Sequence, residues 1–280
     1  MIDLQKRARF IDAKLRKASA IAMGFYGSIA DEDKKAGDNN QVLTKADLAV
    51  GELLVEAVKQ AYPNENIIDE EAGVVDNRSD FTWVIDPIDG TSNFAAGLPM
   101  FGIMIGLLHK GVPVLGGIAL PFYQEFYIGG KDLPTTKNGK PVRLSNKTKL
   151  SDCLVVYGMD GYQDEPERTY QETQLVAKIV LACRNLRASN SVFDTAKTAE
   201  GAFGVSINQG SKIWDNVAQQ AVVEGTKDTN GKDGVYTDVF GQPIDYSNPL
   251  TRVDQNFTFC AGPAALHAQA QAVIHGRVAA

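Results

Sequence analysis

The chain of 280 residues is 44% apolar and 22% charged, and 28 Lys and Arg against 34 Asp and Glu give a formal charge of -6. This is enough apolar chain to bury one large core or two modest ones, and it excludes disordered, collagen-like and mini-protein classes. An acidic balance without a basic stripe argues against nucleic-acid binding. The most apolar stretch, 97–108, stops at His109 and Lys110, short of the roughly 18 apolar residues that a membrane span needs.

The first twenty residues carry charge throughout, Asp3 and Asp12 included, and have no apolar run of a secretion signal, so the expectation is a mature, cytoplasmic protein. Cys153, Cys183 and Cys260 are odd in number and far apart, which predicts reduced, mostly buried thiols rather than a disulfide framework or thiolate zinc site. Leu4, Ala8, Ile11, Leu15, Ala18 and Ala22 recur at spacings of four and three and predict a first helix. A polar, glycine-containing stretch follows over 31–41. A second helix opens at Thr44 and runs to about 61, before Pro63, with Thr44 and Asp47 spaced as a capping box.

Strands are expected over 66–69 and 82–86, Pro87 interrupting the ladder of the second. The segments 102–108, 112–119 and 122–128 predict a meander of buried strands, with turns at 109–111 and at Asn138–Gly139. Past about 150 the pattern alternates: a strand over 154–157, then helices over 165–183, 191–201 and 215–224. The division expected is an α+β half, 1–150, and an α/β half, 151–280. His109, His267 and His275 are expected at the surface or at helix ends.

The segment with the most chemistry is 82–94. A hydrophobic strand delivers Asp86 to its carboxyl end, Pro87 turns the chain, and Asp89 follows three residues on, so two carboxylates can converge. Gly90 tolerates backbone angles denied to other residues, and the amides of Gly90 and Thr91 would open a short helical turn suited to a phosphate oxygen. Such oxygen donors select Mg2+, Mn2+ or Ca2+ over zinc. An isolated Asp-x-x-Asp-Gly is more often a capped surface turn. Likewise the acids Asp69, Glu70 and Glu71 after a short apolar strand would by default be exposed, and Asp215 opening a helix would be an ordinary N-cap.

Taken together and in this order, AspGluGlu at 69–71, TrpValIleAspProIleAspGlyThrSerAsnPhe at 83–94 and TrpAsp at 214–215 resemble the inositol monophosphatase family of Mg2+-dependent phosphomonoesterases. The likeness extends to ThrLysAlaAsp at 44–47 and AsnGlyLysProValArgLeuSer at 138–145. It implies a layered αβαβα sandwich with an active site in the cleft between its halves. It also implies metal ligation by Glu70, Asp86, Asp89, Asp215 and the Ile88 carbonyl, and phosphate binding by Gly90 and Thr91. Thr91 with Glu70 would orient and deprotonate the attacking water, supported by Asp47, and two or three Mg2+ ions, or Mn2+, would supply the positive charge that an acidic protein lacks. The first half would thus carry most metal and phosphate ligands, and the second Asp215 and the substrate-selecting residues.

The second half departs from the family pattern. Asn208 stands where inositol-directed members commonly have Glu, Lys212 agrees with a common bacterial variant, and Asn190, before Ser191, replaces a usual Gly; these four are the candidates for contacting substrate. The usual Glu-Ala-Gly-Gly is reduced to Glu224, Gly225 and Thr226, and 228–234 bears a faint likeness to a calcium loop but reads as a surface turn. The expected substrate is a small sugar or polyol phosphate, nominally inositol monophosphate. Fructose 1,6-bisphosphate, 3'-phosphoadenosine 5'-phosphate and a non-catalytic metal-dependent anion binder are the alternatives. A homodimer and Li+ sensitivity follow from the likeness, 101–108 being either interface or core.

Overall fold

The computed structural model describes residues 2–27, 32–34 and 42–276. Helix α1 (Leu4–Phe25) forms where the spacing predicts, capped by Asp3, whose carboxylate accepts from the Lys6 N–H at 2.9 Å. Its buried stripe is Ala8, Ile11, Leu15, Ala18 and Ala22. Strands β1 (Glu32–Lys34) and β2 (Val42–Thr44) pair antiparallel; the rest of the polar stretch expected over 31–41 lies outside the described residues. Helix α2 (Lys45–Ala61) opens on the capping box: the Thr44 hydroxyl accepts from the amides of Ala46 and Asp47, and Asp47 accepts from the Thr44 N–H.

Strands β3 (Asn66–Asp69), β4 (Gly73–Val75) and β5 (Phe81–Asp89) lead through the short helix α3 (Thr91–Ala95) into a meander. The meander is β6 (Gly102–His109), β7 (Val112–Leu120), β8 (Glu125–Gly130), β9 (Leu133–Lys137) and β10 (Lys140–Pro141). These form one eight-stranded sheet in the order β10-β9-β8-β7-β6-β5-β3-β4. Lys110 and Gly111 (φ 52° and 75°) close β6 onto β7, and Asn138 and Gly139 (φ 51° and 77°) close β9 onto β10, as type I′ turns require. The ladder breaks at Pro87 as expected, but the strand does not end there. β5 continues to Asp89, pairing Asp86 with Met104 and Asp89 with Gly102, so that three steps along β5 face two along β6. The extra residue is a bulge, one of the few places where a sheet accepts proline.

The second half supplies β11 (Leu154–Gly158), α4 (Pro166–Ala182), β12 (Asn185–Arg187), α5 (Val192–Ala199) and β13 (Val205–Ser211). It ends with α6 (Ile213–Glu224), β14 (Gly234–Thr237), β15 (Phe257–Pro263) and α7 (Ala264–Ile274). Its five-stranded sheet has the order β12-β11-β13-β15-β14, with β11 parallel to β12 and to β13. On the large sheet, Trp83, Ile85, Ile103 and Ile105 pack against α1 and α2, while Val84, Met104, Leu108 and Ile118 face Val217, Ala218 and Val222 of α6. Helices α5 and α6 lie between the sheets, and α4 and α7 cover the far face of the smaller one. This is the expected αβαβα sandwich.

Because α6 is enclosed by both sheets, its Asn216 and Gln220 are interior and take partners there. Tyr236 donates to Asn216 and Tyr246 to Gln220, each at 2.9 Å. The stretch 101–108 is buried throughout and is core rather than interface. The three cysteines are buried and unpaired. Asp228 accepts from the amides of Asn230 and Lys232, which makes 228–234 the surface turn expected. Among the described residues no helix is long and apolar enough to cross a membrane.

One histidine departs from expectation. His109 stacks on Phe81 and His275 is exposed at the end of α7, but His267 lies inside α7, only 8% exposed, with Nε2 2.8 Å from the Thr237 hydroxyl. That hydroxyl gives its one hydrogen to the Asp238 carbonyl at 2.8 Å, so His267 Nε2–H is the donor. Burial pushes the imidazole down to about 4. Between that value and the ordinary one, near 6.5, the unfolded chain binds a proton that the folded chain does not. Stability therefore falls as pH drops through this window, by about 3 kcal/mol in all. His267→Gln, which keeps a donor, is expected to remove that slope from urea-unfolding curves taken between pH 7 and pH 4; an unaltered slope would refute the assignment.

Candidate active site

The parallel pairing of β3 with β5 sets Asp69 opposite Ile85, so Glu70 leaves its strand level with Asp86; the Glu70 N–H donates to the Ile85 carbonyl at 3.3 Å. The bulge then returns β5 so that Asp89 faces the same cleft. Helix α6 brings Asp215 from the other half. It is the third residue of that helix, not its N-cap: Lys212 holds the cap position and donates its N–H to Asp215 at 2.5 Å. Carboxylate oxygens of Asp86, Asp89 and Asp215 all lie within 4.8 Å of one another. Glu70 lines the cleft but stands outside this trio.

Three acids this close are unfavourable as charges. Burial holds the Asp86 carboxyl well above the usual carboxylate range, and the charges of Glu70, Asp89 and Asp215 raise it further. Asp89 is raised by burial and by Asp215, against the pull of the Val192 N–H at the start of α5, which donates to it. Asp86 Oδ1 is buried without a hydrogen-bond partner. An orphaned carboxylate oxygen within an all-oxygen cluster fits a hard divalent cation, whose charge would offset both burial and repulsion.

Beside the acids the chain turns through Gly90, left-handed at φ 81°, into α3, and the Phe94 N–H donates to the Gly90 carbonyl at 3.0 Å. A Cβ on Gly90 would stand 2.7 Å from Ser191 Cβ and 3.1 Å from the Met100 carbonyl. Gly90→Ala is therefore expected to strain the turn by roughly 1–2 kcal/mol and push α5 away from Asp89. Thermal melts should show a lowered Tm and phosphate-release assays a drop of about tenfold or more; full activity would show that the turn does not set the cleft.

The Thr91 hydroxyl lies 2.7 Å from the Ile88 carbonyl and 3.2 Å from Asp47 Oδ1. Asp47 does not line the cleft. It is fully buried behind Thr91, its Oδ2 accepting from the Thr44 N–H at 2.8 Å and the Thr44 hydroxyl at 2.5 Å. Burial raises its carboxyl to about 6, with the bonds from Thr44 acting in the opposite direction.

Asn190, Ser191, Asn208 and Lys212 all line the cleft, whose volume is about 860 Å3. Asn190 holds the left-handed conformation at φ 52°, which Asn tolerates better than most residues, so a side chain is accommodated where Gly was expected. Ser191 caps α5. Asn208 Oδ1 accepts from the Gly210 N–H at 2.6 Å. Lys212 sends its ammonium to the Asp254 carbonyl at 2.8 Å.

Two residues beyond the expected set bear on this geometry. Asp194, buried, accepts from the Ser189 hydroxyl at 2.7 Å, is raised by burial to about 6, and adds its charge to those acting on Asp89. Ser191 and Asp194 have capping-box spacing, but Asp194 is bonded by Ser189 instead, so the spacing does not announce this contact. Asn93 donates to the carbonyls of Met100 and Ser189, at 2.8 and 2.7 Å, tying α3 to the loop before α5. No local pattern announces that role.

A family model described as the inositol monophosphatase family matches residues 3–275. The chain is 34% identical over 257 residues to "Probable inositol 1-monophosphatase ImpA" of Mycobacterium tuberculosis, covering 90% of this chain and 88% of that one. It is 27% identical over 230 residues to "Fructose-1,6-bisphosphatase/inositol-1-monophosphatase" of Aquifex aeolicus, covering 80% and 81%. Among solved structures, a Thermotoga maritima IMPase superposes with a TM-score of 0.82 at 24% identity, over 97% of each chain.

Proposed function

The chain belongs to the inositol monophosphatase family of phosphomonoesterases, and from that premise we propose that it hydrolyses a small sugar or polyol phosphate, nominally inositol monophosphate, with two or three Mg2+ ions, or Mn2+. The observation that carries this is the trio Asp86, Asp89 and Asp215, the first buried and the other two partly buried, gathered beside the Gly90–Thr91 turn. In the proposed assignment Glu70, Asp86, Asp89, Asp215 and the Ile88 carbonyl hold the ions. Gly90 and Thr91 hold the phosphate, and Asn190, Ser191, Asn208 and Lys212 border the leaving group.

Bound there, Mg2+ would acidify a water molecule and neutralise charge on the phosphate and the departing alkoxide. The chain's part is orientation and proton handling. Asp47 and the Ile88 carbonyl compete for the single hydrogen of Thr91, which turns that hydroxyl's lone pairs toward the cleft, where they can accept from the attacking water. Glu70, at the same rim, is the acceptor for the second proton. In this division of labour the half 1–150 carries most ion and phosphate ligands, and 151–280 contributes Asp215 and the residues facing the leaving group.

Phosphate release from inositol 1-phosphate, fructose 1,6-bisphosphate and 3'-phosphoadenosine 5'-phosphate under Mg2+, with Asp86→Asn as the blank, tests the reading; release from none of them would overturn it. Inhibition by Li+ at fixed Mg2+ and a cytoplasmic homodimer belong to the same proposal on the family likeness alone. Light scattering tests the dimer, whose interface must avoid 101–108.

A further inference from the structure

Helix α6 carries three amide side chains, Asn216, Gln219 and Gln220, and all are buried. Two of them are bonded at both ends. Asn216 donates to the Ser211 hydroxyl at 2.9 Å and accepts from Tyr236, and Gln220 donates to Glu224 at 2.8 Å and accepts from Tyr246. Gln219 differs. Its Nε2 donates to the Asp215 carbonyl one turn back, but its Oε1 is buried without a hydrogen-bond partner. The amide cannot be turned round to cure this, because a carbonyl only accepts: the NH2 must face it and the oxygen must point elsewhere. Gln219 is 3% exposed and lines the cleft.

A buried acceptor left bare is rare in a folded chain, and in the lining of a cleft it calls for a ligand. The neighbours decide which kind. Gln219 follows Asp215 by four residues, so the two side chains share one face of α6, and Asp215 lies within 4.8 Å of Asp86 and Asp89. Asp86 Oδ1, in the same lining, also lacks a partner. Two bare oxygens beside clustered carboxylates have nothing to offer each other, but one positive ion satisfies both. The ammonium at the start of α6 does not supply that charge, since Lys212 Nζ is bonded to the Asp254 carbonyl.

We propose that Gln219 Oε1 is a further oxygen donor to the cation gathered by Asp86, Asp89 and Asp215, and that it adapts this site to an ion of high coordination number. This rests on the reading of the trio as a cation site and adds a residue and an ion preference to it. Another carboxylate at position 219 would add repulsion to three acids that already oppose one another, whereas an amide oxygen adds a ligand without charge. Ca2+ takes about six to eight oxygens, amide carbonyls among them, while Mg2+ demands a tight octahedron and keeps several of its waters. An additional buried donor therefore favours the larger ion.

Calorimetric titration of the EDTA-stripped protein, without substrate, compares wild type with Gln219→Met, which keeps the length of the side chain but not its oxygen, and with Gln219→Glu, which keeps the oxygen. Ca2+ uptake by Gln219→Met is expected to weaken roughly tenfold, and Mg2+ uptake much less. Gln219→Glu should bind Ca2+ at least as tightly as wild type. In EDTA the Tm of Gln219→Met should be raised, because no bare oxygen is buried, and that of Gln219→Glu lowered by the added charge. Unaltered Ca2+ uptake by Gln219→Met, an equal loss for the two ions, an equal loss of Ca2+ in both variants, or a lowered Tm for Gln219→Met in EDTA would overturn the role of Gln219 and leave the trio as a cation site. Uptake of neither ion by wild type would overturn the reading of the site and this inference with it.

Discussion

Asp86→Asn is expected to lower phosphate release by about three orders of magnitude, the several kcal/mol that charge stabilisation by a bound cation is worth. The same substitution should raise the Tm of EDTA-treated protein by a few degrees. The two effects have one cause. Asp86 is fully interior, has one oxygen without a partner, and the charges that act on it most strongly are all negative. Without a cation it opposes folding; with one it is the group that burial makes most effective. Calorimetric titration with Mg2+ should show uptake by wild type and greatly weakened uptake by the variant. A variant that is less stable in EDTA, or that binds Mg2+ as wild type does, would show that the trio is not a cation site.

The pH dependence of the metal-free protein carries the same signature. Asp86 and Asp89 are raised above their unfolded values, so between the ordinary carboxylate range and the raised one the folded chain binds more protons than the unfolded chain. This contribution to stability is present at low pH and is lost as pH rises. His267 acts in the opposite direction, and it lies in α7, outside the lining of the cleft. The gap in Tm between Mg2+-loaded and metal-free protein should therefore narrow on acidification from pH 8 to pH 5.

What the sequence discloses about this site is what strand ends and helix starts write locally. Asp69 and Glu70 ending β3, Asp86 and Asp89 ending β5, and the Thr44–Asp47 capping box are all legible because each depends on neighbours within a few residues. Pro87 interrupts the ladder as its local rule says, but that rule cannot show that the pairing of β5 with β6 absorbs the proline in a bulge and resumes at Asp89. Asp215 reads as an N-cap because the two residues before it, Ile213 and Trp214, are apolar and give no start signal, yet the helix begins there.

The rest is tertiary. β13 has little apolar alternation, ending in Asn, Gln, Gly and Ser, and is a strand because β11 and β15 flank it. His267 sits on the buried face of α7 with Leu266 and Ala270, so a polar side chain that pattern alone assigns to solvent is interior. Asn208 Nδ2 donates to Asn190 Oδ1 and Asn190 Nδ2 to Asp160 Oδ1, a series that joins residues up to 48 positions apart and exists only because parallel strands end side by side.

Asp47 gives the second large effect, because one carboxylate serves two ends. Its Oδ2 caps α2 through Thr44, and its Oδ1 meets the Thr91 hydroxyl. In Asp47→Asn the amide oxygen can take the Thr44 side and preserve the cap, leaving NH2 toward Thr91. That reverses the polarity of the second contact: Thr91 must then accept, and its hydrogen is fixed on the Ile88 carbonyl. Stability should change little, while kcat falls by about two orders of magnitude, as expected when the hydroxyl that positions the attacking water is turned away. Asp47→Ala should lose the same activity and in addition about 1 kcal/mol of stability with the cap. Because burial raises Asp47 to about 6, wild-type kcat should decline below about pH 6 as its carboxylate takes a proton, and that limb should be absent from the residual activity of Asp47→Asn. An acid limb that persists unshifted in the variant would assign the titration to another group and show that the charge of Asp47 does not orient Thr91.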